Sequence, residues 1–283
     1  MIRLGGNGLP VSSDDPFAFA KAHRAFGYGA AYCPEVTIGD TTRLSAIERA
    51  FAAEDVVLAE IGIWRNLITP DATVRRAHID YACERLAIAD AVGARCAVTY
   101  IGSYEAGTDY APNPKNMGKE AFDACVEAAR LVIDTVKPKR AKFALEMMQY
   151  SLPDTPAVYR DLILAIDRPA FAAHLDPVNI VVSPRQYFDT AALIRDCFET
   201  LRPWIVSCHA KDIILRHQAA LHFDEIIIGK GAMDYRTYLI ELDRLDGVPM
   251  MLEHLPDPDY AVARDAVFAV GDEAGVGFIG RQS

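Results

Sequence analysis

The chain has 283 residues, 51% hydrophobic and 24% charged, an ordinary globular composition with apolar material for one large core. Lys plus Arg number 29 against 39 Asp plus Glu, a formal charge of −10 that disfavours a non-specific hold on DNA or RNA and suits an enzyme of small molecules. No run of about 18 apolar residues occurs, so no membrane span is expected; even "VVLAEIGIW" is interrupted by Glu60.

The chain starts in strand-like "MIRLGG", with no charged leader, apolar h-region or small-residue cleavage site. The six cysteines (Cys33, Cys83, Cys96, Cys125, Cys197 and Cys208) are scattered without a CxxC pair. They are expected to be small buried hydrophobes, and together these features point to the reducing cytoplasm.

Along the chain, short apolar runs alternate with longer amphipathic ones. Strands are expected at 2–6, 29–34, 56–64, 96–102, 142–148, 171–176, 205–211 and 249–255. They lack clean polar–apolar alternation, as parallel strands covered on both faces do. The "GGNG" at 5–8 resembles a phosphate cradle only faintly; a flexible first loop is expected there. After the third strand, Thr69-Pro70-Asp71 supplies an N-cap, a first-turn proline and a first-turn acid. The helix they open should end near Gly93. The run 118–136 places Phe122, Cys125, Val126, Ala129, Val132, Ile133 and Val136 on one helical face, with Pro138 just beyond. Asp234 should cap a helix with Tyr235, Tyr238, Leu239, Leu242 and Leu245 inward, closed by Gly247. No Pro/Gly/Ser-rich linker or charge block divides the chain.

Eight strands alternating with about eight helices predict a single (β/α)8 TIM barrel over residues 1–283. A doubly wound open sheet is the competitor, but all eight units can be counted. In such barrels the active site lies at the C-terminal ends of the strands. Four consecutive strands present an acid or imidazole at that end: Glu146 in "FALEMM", Asp176 in "FAAHLDP", His209 in "VSCHAKD" and Glu253 in "MMLEHL". The third strand adds Glu60. Adjacent strands lie about 4.8 Å apart, so such a row can converge on one point. Any one buried Glu or His is usually a satisfied core group; four at one height weaken that reading. Three carboxylates sharing a dry pocket need a cation. The oxygen-rich set with one imidazole favours Mn²⁺ or Mg²⁺ over Co²⁺ or Zn²⁺.

The order "LE…LDPVN…CHAKD…LEH" resembles the xylose isomerase-like TIM-barrel superfamily, which includes sugar isomerases, ketose 3-epimerases, inosose dehydratases and endonuclease IV. The stretch "IIIGKGAMDYRTYL" (226–239) resembles a family segment in which a G-x-G precedes Asp-Tyr. The resemblance implies that Glu146, Asp176, His209 and Glu253 hold one divalent metal, and that Glu146 and Glu253 exchange a proton with substrate. Proton removal next to a carbonyl through a metal-stabilised enediolate fits such a set. Two departures stand out. Asn179 occupies the place where epimerases and endonuclease IV of this group often carry a histidine. No Asp-x-His follows His209, and with the acidic charge this argues against the nuclease.

Further candidates flank the row. Lys211 shares the face of His209 and either steadies an oxyanion or forms a rim salt bridge. His174 lies one layer below Asp176, as a partner of the ligands or a packed core group. Glu60, Trp64 and Asn66 end the third strand, and Trp64 either stacks on a sugar or anchors a loop. Arg185, Gln186 and Tyr187 are expected at the mouth, and His254 facing the helices. Glu60, Trp64, His174, Asn179, Arg185 and Lys211 are thus candidate substrate contacts. The leading expectation is a metal-dependent sugar or polyol isomerase/epimerase. A lyase on sugars or glycosides and a non-catalytic sugar-binding barrel are the alternatives. A small-molecule partner and a homo-oligomer, or a partner subunit, are expected.

Overall fold

The computed structural model describes residues 1–10 and 13–281. Eight parallel strands close in the order β1-β10-β7-β6-β5-β4-β3-β2. They are β1 (Arg3–Gly5), β2 (Ala30–Tyr32), β3 (Val57–Gly62), β4 (Cys96–Thr99), β5 (Lys142–Glu146), β6 (Phe171–Leu175), β7 (Ile205–Ala210) and β10 (Pro249–Leu252). Around them run α1 (Pro16–Ala25), α2 (Thr41–Ala53), α3 (Ala72–Val92), α4 (Lys119–Val136), α5 (Pro156–Ile166), α7 (Thr190–Leu201), α8 (Tyr235–Asp243) and α9 (Asp259–Ala274). A one-turn α6 (Pro184–Tyr187) precedes α7. No helix among the described residues is long and apolar enough to cross a membrane.

The strands are shorter than expected because residues at their ends turn into the loops. One feature escaped sequence reading: β8 (Asp212–Leu215) and β9 (Phe223–Ile226) form an antiparallel hairpin outside the barrel. Asp212 organises the segment that follows it. Its buried carboxylate accepts from the backbone N–H groups of Ile213, Gly229, Gly231 and Met233 at 2.9–3.0 Å. A Cβ at position 231 would sit 2.2 Å from Asp212 Oδ1, so the second glycine of G-x-G is needed for that wrap.

Aspartates start most of the helices. Asp15, Asp40, Asp71, Asp189 and Asp234 each accept from a first-turn N–H, satisfying donors the helix itself cannot. The α3 cap is Asp71, not Thr69; Pro70 therefore lies before the helix. Gly93 closes α3 in the left-handed conformation, as expected. The α8 helix ends at Asp243, and Gly247 belongs to the turn beyond. All six cysteines are free and four are buried.

Two irregularities set what faces the barrel axis. Pairing of β2 with β3 skips Ala59, and pairing of β6 with β7 skips Val206. An extra residue of this kind re-aims its neighbour. Ala59 packs with Ala30 and Met251, yet the adjacent Glu60 bonds Ser207 and His209. Beyond the second irregularity, Ser207, His209 and Lys211 turn inward in sequence.

Buried tyrosines pin the strand ends from outside. The Tyr238 hydroxyl on α8 donates to the His209 carbonyl (2.9 Å), and Tyr235 donates to that of Lys211 (2.8 Å). Tyr159 on α5 donates to Leu145 O and accepts from His174 N–H (3.0 Å), tying β5 to β6. Removing such a bond costs about 1 kcal/mol or somewhat more when the acceptor stays buried. Tyr238→Phe should therefore lower the urea midpoint by an amount equivalent to about 1–2 kcal/mol with an unchanged slope. An unmoved midpoint would show that this hydroxyl does not brace β7.

Candidate metal centre at the barrel mouth

Glu146 is the last residue of β5, Asp176 and Glu253 directly follow β6 and β10, and His209 lies one residue inside the end of β7. Pro177 halts β6 and opens a 3₁₀ turn, which leaves Asp176 at the rim of the barrel interior. These four residues each offer a ligand atom, all within 4.8 Å of one another.

His209 is the centre of the group and is fully buried. Its Nδ1 lies 2.7 Å from Glu146 Oε1, 3.1 Å from Glu253 Oε2 and 3.6 Å from Asp176 Oδ2. Its Nε2 lies 3.0 Å from Glu60 Oε1. The other Glu60 oxygen accepts from Ser207 Oγ at 3.1 Å. One N–H at Nδ1 cannot serve three carboxylates. An Nε2–H donated to Glu60 instead frees the Nδ1 lone pair for a cation on the side where the three acids converge.

Lys211 enters the same space. Its Nζ lies 2.7 Å from Asp176 Oδ2, 2.9 Å from Glu253 Oε2 and 4.0 Å from Glu146 Oε1. It also donates to Asn179 Oδ1 at 3.3 Å, and Asn179 in turn donates to Met147 O at 3.1 Å. Despite the nearby ammonium, both Asp176 oxygens and Glu253 Oε2 are buried without a well-aligned hydrogen bond. Four carboxylates face one ammonium and two imidazoles, His209 and His174. These orphaned acceptors and the surplus negative charge fit a divalent ion.

The environment separates the acids. Burial pushes the Glu146 carboxyl up to about 7, against the pull of His209 and Lys211. Burial acts the same way on Asp176 and Glu253, but there it is outweighed: by Lys211 and His209 for Asp176, and by His209 and Lys211 for Glu253. Both are held well below the usual carboxylate range. Lys211 is closer to those two than to Glu146, whereas His209 lies nearest Glu146, so the Lys211 ammonium is what sets Asp176 and Glu253 apart by distance. Burial would discharge His209 and Lys211, yet the surrounding acids hold both well above their ordinary values.

Other expected residues divide into near and far. Glu60 lies inside β3 beneath His209, bonded to it rather than open to the mouth. His174 is fully buried below Asp176, edge-on to His209 at 4.2 Å between rings. Burial and the neighbouring His209 lower it to about 4, so it stands neutral. Trp64 is half-buried, its ring 6.3 Å from that of His209. Arg185 is not brought to the cluster: it is exposed on α6, where its side chain makes no hydrogen bond or ion pair among the described residues. His254 does not face the helices. A left-handed backbone (φ 56°) turns it to the rim, where Nδ1 meets Glu225 of β9 at 3.0 Å. Nothing in the alternation of "LEH" could reveal that, because the strand stops at Leu252. Sequence reading also missed Tyr100, Tyr110 and Tyr150, which extend from Trp64 along the mouth.

The profile of the xylose isomerase-like TIM barrel family matches residues 21–268, and the chain belongs to that family. No curated protein matches it in sequence. Among solved structures, it is similar to D-psicose 3-epimerase with D-tagatose from Clostridium cellulolyticum H10, with a TM-score of 0.68 at 13% identity over 97% of this chain and 98% of that one. A probable 3-DHS dehydratase, AsbF, from Bacillus anthracis gives 0.69 at 17% identity over 95% and 98%. A xylose isomerase-like TIM barrel protein from Mycobacterium smegmatis in complex with magnesium gives 0.65 at 16% identity over 97% of both.

Among side chains, Lys211 is the counter-charge nearest Asp176. Lys211→Met should therefore destabilise the chelator-treated protein by about 3–5 kcal/mol, the cost of breaking a buried pair. Urea unfolding in EDTA measures it; a change below about 1 kcal/mol would place the pair among weakly contributing ones.

Proposed function

We propose that this chain is a divalent-metal-dependent isomerase or epimerase of a sugar or polyol. The observation that carries the reading is the convergence of three carboxylates on one face of His209 at the barrel mouth, with the Asp176 oxygens lacking aligned donors. Glu146, Asp176, His209 and Glu253 would hold the ion, and the hard oxygen-rich set favours Mn²⁺ or Mg²⁺. When bound, the ion would polarise a substrate carbonyl and its neighbouring hydroxyl, making the adjacent C–H acidic.

The chain's own groups then do the proton work. Glu146 and Glu253, whose carboxylates both lie within 3.1 Å of His209 Nδ1, are the acid/base pair. One carboxylate takes the proton from the carbon next to the carbonyl; a proton returned by the other to the opposite face inverts that carbon, and one returned to the former carbonyl carbon, with a hydroxyl proton passing between the two oxygens, moves the carbonyl. Glu60 orients His209 through Nε2, and Lys211 with Asn179 offers donors to substrate oxygens. Trp64 beside His209 gives a flat apolar face for a sugar ring.

A lyase is the second reading, favoured by Asn179 in place of a histidine and by the likeness to a probable dehydratase. It would share the proton removal and end in loss of water or an aglycone. Product mass separates the two, since epimerisation conserves formula. Family membership supports a small-molecule enzyme, and the free thiols suit the reducing cytoplasm.

Chelation should abolish turnover and Mn²⁺ should restore it; full activity in EDTA would overturn the metal reading. In D₂O, one deuterium should enter the product at carbon, whereas none would indicate a hydride shift. Glu146→Gln should lower kcat by about 10²–10⁴-fold. Glu60→Gln should weaken Mn²⁺ binding by about 10–100-fold in direct titration.

A further inference from the structure

A second feature starts at His209 and leads away from the acids. Beyond Trp64, the rings of Tyr100, Tyr110 and Tyr150 follow at centroid steps of 5.9, 5.5 and 5.6 Å, each tilted 31–38° from the last. They come from the loops after β3, β4 and β5. Three steps of more than 5 Å carry the row beyond the length of one sugar ring.

These loops lack regular structure, yet two buried asparagines hold them. The Asn116 amide donates to Ala111 O (3.0 Å) and Tyr150 O (2.8 Å), and its oxygen accepts from Tyr104 N (2.9 Å). Asn66 donates to Ser103 O (2.7 Å) and Thr108 O (3.2 Å). Gly102, at φ +107°, allows this approach: a Cβ there would meet Asn66 Oδ1 at 2.0 Å. The row is thus preorganised, which lowers the entropy cost of using it.

At its outer end, Tyr150 is 42% exposed and borders a cleft of about 540 Å³. Gln149, Asn179, Asp224 and Glu225 line it together with Phe223 and several aliphatic side chains. On the cleft wall, Gln149 Oε1 is buried without a hydrogen-bond partner. At this end of the row, an exposed tyrosine facing amide and acid side chains matches a polyhydroxylated ring, whose C–H face stacks while its hydroxyls bond sideways. Asn179 on the cleft wall accepts from Lys211, which reaches Asp176 and Glu253 of the acidic cluster.

We propose that this cleft is a subsite for a second sugar unit, so that the substrate is a disaccharide-type glycoside rather than a free monosaccharide. The assignment rests on the acidic cluster being the reaction site. Calorimetry on the Mn²⁺-loaded protein tests it with a panel of disaccharides, their component monosaccharides and the matching p-nitrophenyl glycosides. At least one disaccharide should bind about tenfold tighter than either component. Tyr150→Ala should erase that gain and Gln149→Ala should reduce it; Mn²⁺ affinity serves as the control for an intact cluster. A panel without any gain, or a gain that survives Tyr150→Ala, would overturn the subsite. A gain confined to p-nitrophenyl glycosides would overturn the sugar assignment in favour of an aromatic group. A disaccharide gain lost in Tyr150→Ala but indifferent to Mn²⁺ would support the subsite and sink only the metal reading.

Discussion

The structure turns on a single imidazole caught between acids on both sides. Glu60 takes the lower nitrogen of His209, and Glu146, Asp176 and Glu253 crowd the upper one. Such a cluster opposes folding on its own, because buried like charges repel and lose their water. It persists because β5, β6, β7 and β10 are adjacent in a closed barrel, where no strand can slide to relieve it. Lys211 supplies charge compensation from the same strand face as His209. Every other local choice near the mouth either keeps these groups at this height or keeps water from dispersing them.

The barrel divides labour between its faces. Leu145, Leu175, Cys208 and Leu252 point outward and pack against the helices, where apolar burial stabilises the fold. The inward positions one residue away carry the acids and the imidazole. Tyrosines from α5 and α8 cross this division, because their rings join the apolar layer while their hydroxyls hold strand carbonyls. Rigidity at the mouth is thus generated by the layer that also stabilises the barrel. The sites of chemistry and of stability are coupled through backbone hydrogen bonds, not through the reacting side chains.

Much of this was legible in the residues. Strand count, helix alternation and the Glu146–Asp176–His209–Glu253 row depend on local apolar runs and on the two-residue period, which survive in one dimension. So did the inward set of α8, although its tyrosines looked like plain core and their hydroxyl roles lay in distant carbonyls. The position of Glu60 was harder, because the irregularity at Ala59 puts two consecutive residues inside and breaks the period. The β8–β9 hairpin was hidden by its shortness, and by an organiser, Asp212, whose partners lie 17–21 residues on at Gly229, Gly231 and Met233. Arg185 looked well placed in sequence, but the 3₁₀ turn after Asp176 and the short α6 carry it outward.

The aromatic row shows why loops resist such reading. No periodicity links Trp64, Tyr100, Tyr110 and Tyr150; Trp64 stood out at the end of its strand, and the three tyrosines carried no signal of their own. What joins them is a pair of buried asparagines, residues that sequence rules assign to turns and caps. Burying an amide is costly unless all its bonds are made, and Asn116 spans two loops to make them. A loop pinned this way has traded mobility for a fixed surface. The strand ends reach the same result by ladder pairing and tyrosine braces. Two unlike devices therefore produce one rigid mouth, with the charged half set by the barrel and the aromatic half by amide bridges between its loops.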